Sequence, residues 1–280
     1  MRLAWITDPH LDFLPAIGSE QFGKNVKKRT KADAVVITGD IAESHLLSFL
    51  LLIFAKGFNK PVYFVLGNHD FYRASLEKVS QAAQILHESK TNLVWLNAAG
   101  IVELTPQVAL VGHGGWYDAR SGDPDGSRVV MSDFALIEDF QGLDRFALIQ
   151  KCREVAAKMA EEAAPPLTLA ASKYKHVLFA THVPPFREAC WHRGAVSDQN
   201  WLPWFTNLAF GAMLSDVAHR YPQTQFTVLC GHTHSPGTYQ HLDNLTVLTG
   251  HSEYNSPRVC KVFNLKSEGE PLLEDSPTSP

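Results

Sequence analysis

The sequence has few cysteines, no apolar run of membrane-spanning length and no strong net charge. Its four cysteines lie far apart in 280 residues and form no C-x-x-C pair, which excludes a zinc knuckle and a thioredoxin-like redox motif. The apolar stretch 46–54 is far shorter than the ~20 residues that a membrane span needs. The apolar start of the chain is interrupted too soon for a signal peptide. We therefore predict a cytoplasmic protein with free thiols and no membrane contact.

The charge balance of the chain is mildly acidic. The 25 Lys and Arg residues against 29 Asp and Glu residues give a formal net charge of -4. Such a chain has no overall positive field, which argues against a nucleic-acid partner. Hydrophobic residues make up 45% of the chain, enough for a large core. Because no repeat or linker divides it, we predict one domain over residues 1–266 and a disordered, acidic, Pro/Ser-rich tail over residues 267–280.

The first third of the chain alternates between strand-like and helix-like segments. Residues 3–7, 34–38 and 62–66 are apolar runs rich in β-branched and aromatic residues, which predict buried strands. Helices are predicted between them at 19–31 and 43–57, and a third at 75–88 with Ser75 as its N-cap. This alternation is typical of βαβ units in a parallel sheet.

The remainder of the chain predicts a second set of strands. Closely spaced strands at 94–97, 101–104 and 108–111 indicate an antiparallel meander, followed by a long loop at 112–125. A helix at 146–163 is expected to end at Pro165-Pro166, and another helix is expected to run from 202 to 220 with Pro203 near its start. Further strands are predicted at 177–181, 226–230, 237–241, 246–249 and 259–264.

Polar residues of metal-ligand type follow five of these strands directly. The carboxyl ends of strands in open α/β sheets are where ligands bind, so we expect these five loops to meet at one place. Residues two apart in an extended segment project to the same side, which holds for both histidine-containing pairs in the set. The candidate ligands are Asp8, His10, Asp40, Asn68, His182, His232 and His234.

The chemistry of these side chains indicates two metal ions. Two carboxylates, one amide oxygen and four imidazoles suit manganese, iron, zinc or cobalt rather than calcium or a thiolate site. Seven ligands are too many for one tetrahedral ion, whereas they suit two ions that share a bridging carboxylate. Asp40 is the natural candidate for the bridge because it stands alone in its loop.

The five motifs together resemble the calcineurin-like metallophosphoesterases. They are Asp8-x-His10, Gly39-Asp40, Gly67-Asn68-His69-Asp70, Thr181-His182 and Gly231-His-x-His234. Their order and their positions after predicted strands match the family over roughly residues 3–250, and the full ordered set is far more specific than any single motif.

The resemblance implies a four-layer αββα sandwich, in which two mixed β-sheets are flanked by helices. It assigns Asp8, His10 and His234 to one metal and Asn68, His182 and His232 to the other, with Asp40 bridging. It also implies that His69 is a catalytic residue near the leaving group and that Asp70 orients it.

The activity implied is hydrolysis of a small phosphodiester or phosphomonoester by a hydroxide held between two divalent metals. The segment Ile41-Ala42-Glu43 differs from the Asp-Arg-Gly of the family's protein phosphatases, which disfavours a protein substrate. A nuclease and a non-catalytic, metal-bound interaction module are the alternatives.

Substrate specificity is expected to reside in the long loops at 112–125 and 184–200 and in residues beside the motifs. Each candidate also has a purely structural interpretation, such as a solvated arginine, a surface-loop histidine or a packed aromatic ring. The candidates are Tyr72, Arg73, His113, Trp116 and His192.

Overall fold

Fourteen strands and eight α-helices make up the described part of the chain. A computed structural model describes residues 1–89, 91–266 and 272–274. The strands are β1 (Arg2–Ile6), β2 (Ala34–Thr38), β3 (Val62–Val65), β4 (Leu93–Trp95), β5 (Val102–Thr105), β6 (Val108–Gly112), β7 (His176–Ala180), β8 (Trp191–His192), β9 (Ala195–Val196), β10 (Gln225–Cys230), β11 (Gly237–Leu242), β12 (Leu245–Thr249), β13 (Lys261–Asn264) and β14 (Leu272–Glu274). The helices are α1 (Ala16–Thr30), α2 (Ser44–Phe58), α3 (Leu76–Glu88), α4 (Leu96–Ala99), α5 (Asp133–Leu136), α6 (Arg145–Ala171), α7 (Leu202–Phe205) and α8 (Leu208–Arg220).

The strands form two mixed six-stranded sheets. The first has the order β14-β13-β1-β2-β3-β4, and the second has the order β11-β12-β10-β7-β6-β5. The central strands of each sheet pair parallel. The antiparallel pairs are β1–β13 and β13–β14 in the first sheet, and β5–β6 and β11–β12 in the second. The remaining pair, β8 and β9, is a small separate ribbon. The expected pair of mixed sheets flanked by helices is confirmed.

The core has three layers because successive side chains of each central strand face opposite sides. Trp5 and Val36 of the first sheet share one buried cluster with Leu110 and Leu178 of the second, so this cluster lies between the sheets. The other face of the first sheet packs in a cluster with residues of α1, α2 and α3. The other face of the second sheet packs with residues of α6 and α8. This arrangement is the αββα sandwich.

The predicted meander at 94–111 is wrong. Strand β4 pairs parallel with β3 and belongs to the first sheet, while β5 and β6 form an antiparallel hairpin in the second sheet. The short helix α4 connects the two sheets at this point. Leu93 and Trp95 are buried with the helices of the first sheet, whereas Leu104 is buried between the sheets. Close spacing in sequence therefore did not indicate a shared sheet.

The predicted helix at 202–220 is interrupted. Helix α7 ends at Phe205, and α8 begins at Leu208. Between them the side chain of Asn207 accepts a hydrogen bond from the N–H of Phe210 at 3.1 Å, which caps the second helix. The break allows the backbone carbonyl of Trp204 to face the side chain of His232.

Helix α6 does not end before its two prolines. It continues through Pro165 and Pro166 to Ala171, although each proline lacks an N–H and crowds the carbonyl four residues earlier. The residues beyond the prolines that hold the helix in place are Leu167 and Ala170, which are fully buried against the second sheet. Tertiary packing therefore overrides the local preference.

We expect Pro165→Ala to raise the free energy of unfolding by about 1–2 kcal/mol. The substitution restores a helical N–H and removes a steric clash worth ~3 kcal/mol, partly offset by greater freedom of the unfolded chain. Urea unfolding measures the difference. Pro124→Ala in the long loop is the matched control, since it removes the same ring outside a helix and should lower stability by less than about 1 kcal/mol. An unchanged midpoint for Pro165→Ala would contradict the prediction.

Most of the tail predicted to be disordered, residues 267–271 and 275–280, lies outside the described residues. Within it, Leu272–Glu274 form the edge strand β14, which pairs antiparallel with β13. Among the helices of the described ranges, none combines the length and the apolar character needed to cross a membrane.

Candidate metal centre

The structure brings all seven candidate ligands together at the carboxyl ends of the central strands. Asp8, Asp40 and Asn68 follow β1, β2 and β3 of the first sheet. His182 and His232 follow β7 and β10 of the second sheet. All of these side chains are buried, as is His10, and His234 is partly buried. The sandwich therefore places five loops from two sheets around one point.

Four of the seven form a compact group on one side of the centre. Asp8, His10, Asp40 and His234 each offer one ligand atom, and these atoms lie within 4.8 Å of one another. Nε2 of His234 is 3.3 Å from Oδ1 of Asp8 and 3.3 Å from Nε2 of His10. Within the described part of the chain, Nδ1 of His10 is buried and has no hydrogen-bond partner. Such a set of carboxylate oxygens and imidazole nitrogens suits a divalent transition metal.

Asn68, His182 and His232 converge on the other side. Oδ1 of Asn68 is 2.9 Å from Nε2 of His182 and 2.9 Å from Nδ1 of His232, and these two nitrogens are 3.2 Å apart. The opposite nitrogens of the two rings face backbone carbonyls, those of Thr38 and Trp204. A carbonyl accepts, so each of those nitrogens carries the proton of the neutral ring.

This tautomer assignment leaves three lone pairs facing one another. Nε2 of His182, Nδ1 of His232 and Oδ1 of Asn68 would all be acceptors, and buried acceptors at these distances repel one another unless a proton or cation lies between them. Burial lowers the pKa of His232 to about 3, which opposes a second proton on that ring. A metal cation fits the three atoms.

Asp133 fixes the orientation of Asn68. Its Oδ1 accepts hydrogen bonds from the amide nitrogen of Asn68 at 2.9 Å and from the hydroxyl of Tyr72 at 2.7 Å, and its Oδ2 accepts one from the hydroxyl of Tyr117 at 2.7 Å. Since the amide nitrogen must donate to this carboxylate, the amide oxygen must face His182 and His232. Outer partners of this kind hold metal ligands in the productive orientation.

Asp40 lies between the two sides. Its Oδ1 is 3.3 Å from Nε2 of His182, and its Oδ2 is 3.9 Å from Nε2 of His10. The backbone N–H of His69 donates to Oδ1 at 2.9 Å. One carboxylate thus faces ligands of both groups, the geometry that a shared ligand of two ions needs.

Contacts across the centre join the two sheets. The N–H of His232, after β10, donates to the carboxylate of Asp8, after β1, at 3.0 Å from Oδ1. His182, after β7, contacts the carbonyl of Thr38 in β2 at 2.9 Å. Each sheet therefore supplies candidate ligands of its own. It also supplies a backbone group that positions a candidate ligand of the other sheet.

The backbone of the ligand loops is strained. Asp8, His10, Asp40, His232 and His234 have φ values of 45°, 40°, 49°, 68° and 58°. Residues other than glycine rarely adopt this left-handed region, and strain of this kind persists only where surrounding structure enforces it, often at functional sites. Gly39 has a φ of 85°, and a Cβ there would lie 2.6 Å from Nδ1 of His182. Only glycine allows this close approach.

The protonation preferences of His10 and His232 favour metal binding. Burial lowers the pKa of His10 to about 2, and the neighbouring His69 adds to this effect. Neutral imidazole is the form that binds a metal. For Asp8, burial raises the pKa, but the hydrogen bond from His234 and the charges of three histidines outweigh it, so the net pKa is below its ordinary value. For His234, burial lowers the pKa, but the hydrogen bond and the charge of Asp8 outweigh it, so the net pKa is above its ordinary value. A metal at this group would have to displace that proton.

His69 lies at the edge of the centre, and Asp70 lies beneath it. Nε2 of His69 is 3.8 Å from Oδ2 of Asp40, and its ring stacks on Tyr72 at 4.4 Å. Asp70 accepts backbone N–H groups of Ile41, Ala42 and Gly67 at 2.7, 2.9 and 2.8 Å. Its carboxylate thus secures the loops that carry Asp40 and Asn68, whereas the resemblance led us to expect a contact with the His69 ring.

Tyr72 borders the centre, but Arg73 and Trp116 do not reach it. The side chain of Arg73 is exposed and pairs with Glu43 at 2.6 Å between Nε and Oε2. Trp116 is 1% exposed and stacks on Phe140 at 5.2 Å. The ring of Trp116 is thus enclosed by neighbouring side chains, which is the position that its packing interpretation describes.

His113 and His192 are also set back from the ligands. His113 is buried, its Nε2 is 3.2 Å from Oε2 of Glu162, and it lines a cavity of about 730 Å³ between α3 and α6 that none of the seven ligands lines. His192 stacks on Trp201 at 6.2 Å and lies 6.2 Å from Phe205, whose ring contacts His232. Neither histidine contacts a candidate ligand directly among the described ring and hydrogen-bond contacts.

Sequence patterns did not identify Asp133, which orients a candidate ligand, whereas the sequence does place Tyr254 near the site. Asp133 belongs to no motif, and only the fold reveals that it orients Asn68. Tyr254 follows the last motif closely, and its ring lies 4.5 Å from that of His10 and 5.2 Å from that of His234. Its position after β12, at the same end of the sheet as the motif loops, is the one signal that pointed to it.

Comparisons with known proteins agree with this architecture. The phosphopantetheinyl hydrolase from Mycobacterium tuberculosis has a TM-score of 0.63 and 18% identity, covering 90% of this chain and 89% of that one. A dimetal phosphatase from Danio rerio has a TM-score of 0.58 and 17% identity, covering 99% of both chains. At these identities the likeness shows the fold. No curated protein sequence matches significantly.

The family is identified by sequence. The profile of the calcineurin-like phosphoesterases matches residues 1–236, a range that contains all five motifs. The cluster of Asp and His side chains could hold two divalent metals, as the family's dimetal members do. The chain belongs to the calcineurin-like phosphoesterase family.

Proposed function

We propose that this protein hydrolyses a small phosphate ester, a diester or a monoester, with two divalent metals. The observation that carries the proposal is the pair of ligand groups linked by Asp40. Asp8, His10 and His234 would hold one ion. Asn68, His182 and His232 would hold the other, with Asp40 shared.

When bound, two such ions supply a nucleophile by lowering the pKa of water and neutralise charge on the phosphoryl oxygens. The protein's own groups complete the site. Asp133 would keep the Asn68 oxygen on the side of His182 and His232 where an ion would bind, and Asp70 secures the loops beneath Asp40. His69, partly exposed at the edge of the centre, donates a hydrogen bond to the leaving oxygen.

The names of the two structural neighbours support a hydrolase. One is called a phosphopantetheinyl hydrolase and the other a dimetal phosphatase. The net charge of -4 favours a small ester over a polynucleotide. We also propose a cytoplasmic location, which the buried free thiols of Cys152, Cys190 and Cys230 support.

Turnover by metal-reconstituted protein tests the proposal. We expect protein stripped with EDTA and reloaded with Mn²⁺ to hydrolyse bis-p-nitrophenyl phosphate or p-nitrophenyl phosphate, and stripped protein to be inactive. The ratio of the two rates separates diesterase from monoesterase. Two bound metals without turnover on either ester, or on a panel of natural phosphate esters, would favour the interaction module instead.

We expect His69→Ala to keep both metals but to lose about 10²- to 10⁴-fold in kcat on esters with poor leaving groups. The range is typical of removing a group that assists proton transfer, and esters of p-nitrophenol should suffer less because their leaving group needs little assistance. Elemental analysis and rates on alkyl and p-nitrophenyl esters provide the measurement. His219→Ala on the exposed face of α8 is the control. Loss of a metal from His69→Ala would make His69 a ligand and overturn its assignment.

A further inference from the structure

Two large aromatic side chains are exposed beside the metal centre. Tyr254 is 44% exposed and Phe13 is 48% exposed. Exposed apolar rings are common singly on protein surfaces, but a pair that lines a functional centre marks a place where a ligand can be buried.

The pair is in direct contact with the metal ligands. The centroid of the Tyr254 ring lies 4.5 Å from that of His10, at 37° between the planes, and 5.2 Å from that of His234. Phe13 lies 4.9 Å from Tyr254 and 6.0 Å from His10. A phosphate held at the centre would therefore have an aromatic surface next to it.

The segment that carries Tyr254 is tied to the ligand loops. The hydroxyl of Ser252 donates to the carbonyl of Asp8 at 2.6 Å, and its N–H donates to the carbonyl of His234 at 3.3 Å. Nδ1 of His251 contacts the same carbonyl at 3.1 Å. The segment that carries the Tyr254 ring is thus held against the loops of Asp8 and His234, which reduces the entropy lost when a ligand binds to the ring.

We infer that Tyr254, supported by Phe13, binds a flat aromatic ring in the ester group of the substrate. This inference rests on the proposed function, because the ring is expected to be attached to the phosphate that the metals hold. Offset stacking of two aromatic rings is favourable beyond the area it buries, and a saturated ring of similar size does not have this term. The substrate class is therefore a phosphate ester that carries a nucleobase or an aryl ring.

Binding of two matched phosphonates tests the inference without relying on turnover. Benzylphosphonate and cyclohexylmethylphosphonate share the metal-binding group and the carbon skeleton but differ in aromaticity. Isothermal titration of Mn²⁺-loaded protein should show about 2- to 10-fold tighter binding of the benzyl compound. Tyr254→Ala should abolish this preference without loss of metal, whereas Tyr254→Phe should keep the preference. Phe49 on α2 is also an exposed ring, at 55%, and Phe49→Ala should leave the preference unchanged.

Equal binding of the two phosphonates by the unmodified protein would overturn the inference, as would a preference that survives Tyr254→Ala. Because neither phosphonate is hydrolysed, this result is separate from the ester assay: absence of turnover bears on the proposed function, and absence of preference bears on the ring site. Comparing the binding of 5′-AMP with that of ribose 5-phosphate in competition experiments distinguishes a nucleobase from a simple aryl group as the bound ring. Tighter binding of 5′-AMP indicates a nucleobase, whereas equal binding alongside a benzyl preference indicates a simple aryl group.

Discussion

Asp40→Asn is expected to remove at least one metal and to lower kcat/KM by about a thousandfold or more. The two oxygens of Asp40 face ligands of different groups, at 3.3 Å from His182 and 3.9 Å from His10. An amide offers only one oxygen, carries no charge and places an NH₂ group where the second ion must lie. Both the affinity for metals and the electrostatic stabilisation of the reaction should therefore fall together.

The measurement is metal content by elemental analysis after reconstitution, together with turnover of a p-nitrophenyl ester. Asp33→Asn is the matched control, since Asp33 lies just before the other end of the same strand and is exposed, with Oδ2 accepting a backbone N–H at 2.9 Å. It should behave as the unmodified protein. Two tightly held metals and normal rates in Asp40→Asn would remove the basis for a shared carboxylate.

Asp133→Ala is expected to lower the free energy of unfolding by about 3 kcal/mol and to weaken metal binding about 10- to 100-fold. The fully buried carboxylate of Asp133 accepts hydrogen bonds from Asn68, Tyr72 and Tyr117. Removing it leaves three buried donors without their acceptor, each at a cost of roughly 1–3 kcal/mol before relaxation. It also frees Asn68 to rotate, so the amide oxygen no longer needs to face the metal.

Two separate measurements resolve these effects. Urea unfolding in excess EDTA reports stability without the contribution of bound metal, and Mn²⁺ titration of the folded protein reports affinity. Asp216→Ala on α8 provides the comparison, since its exposed ion pair with Arg220 at 2.7 Å should contribute less than about 1 kcal/mol. If Asp133→Ala matched this control in both measurements, the carboxylate would have no role in holding Asn68.

The candidate ligands could be predicted from sequence because each follows an apolar strand. Strand ends in a sheet of parallel central strands meet at one edge, so short motifs such as Gly39-Asp40 and Gly67-Asn68 indicate a common site. Asp133 could not be found in this way. It lies on the four-residue helix α5 after a long loop. No local sequence pattern indicates that its carboxylate faces the amide of Asn68.

The errors in the fold have a similar origin. Strand propensity placed β4, β5 and β6 correctly to within a few residues, but it contains no information on which sheet each strand joins. The prolines of α6 and the break before Asn207 show the same limit in helices. Packing of Leu167 against the second sheet, and the carbonyl of Trp204 facing His232, are long-range effects.

The hydrogen bonds that cross between the sheets couple the geometry of the centre to the packing of the two sheets. Asp8 of one sheet receives the N–H of His232 from the other, and His182 contacts the carbonyl of Thr38 in return. The spacing of the two ligand groups, one in each sheet for the most part, is thereby set by how the two sheets pack on each other. A substitution deep in the inter-sheet layer, remote from every candidate ligand, can therefore alter the spacing of the two ligand groups.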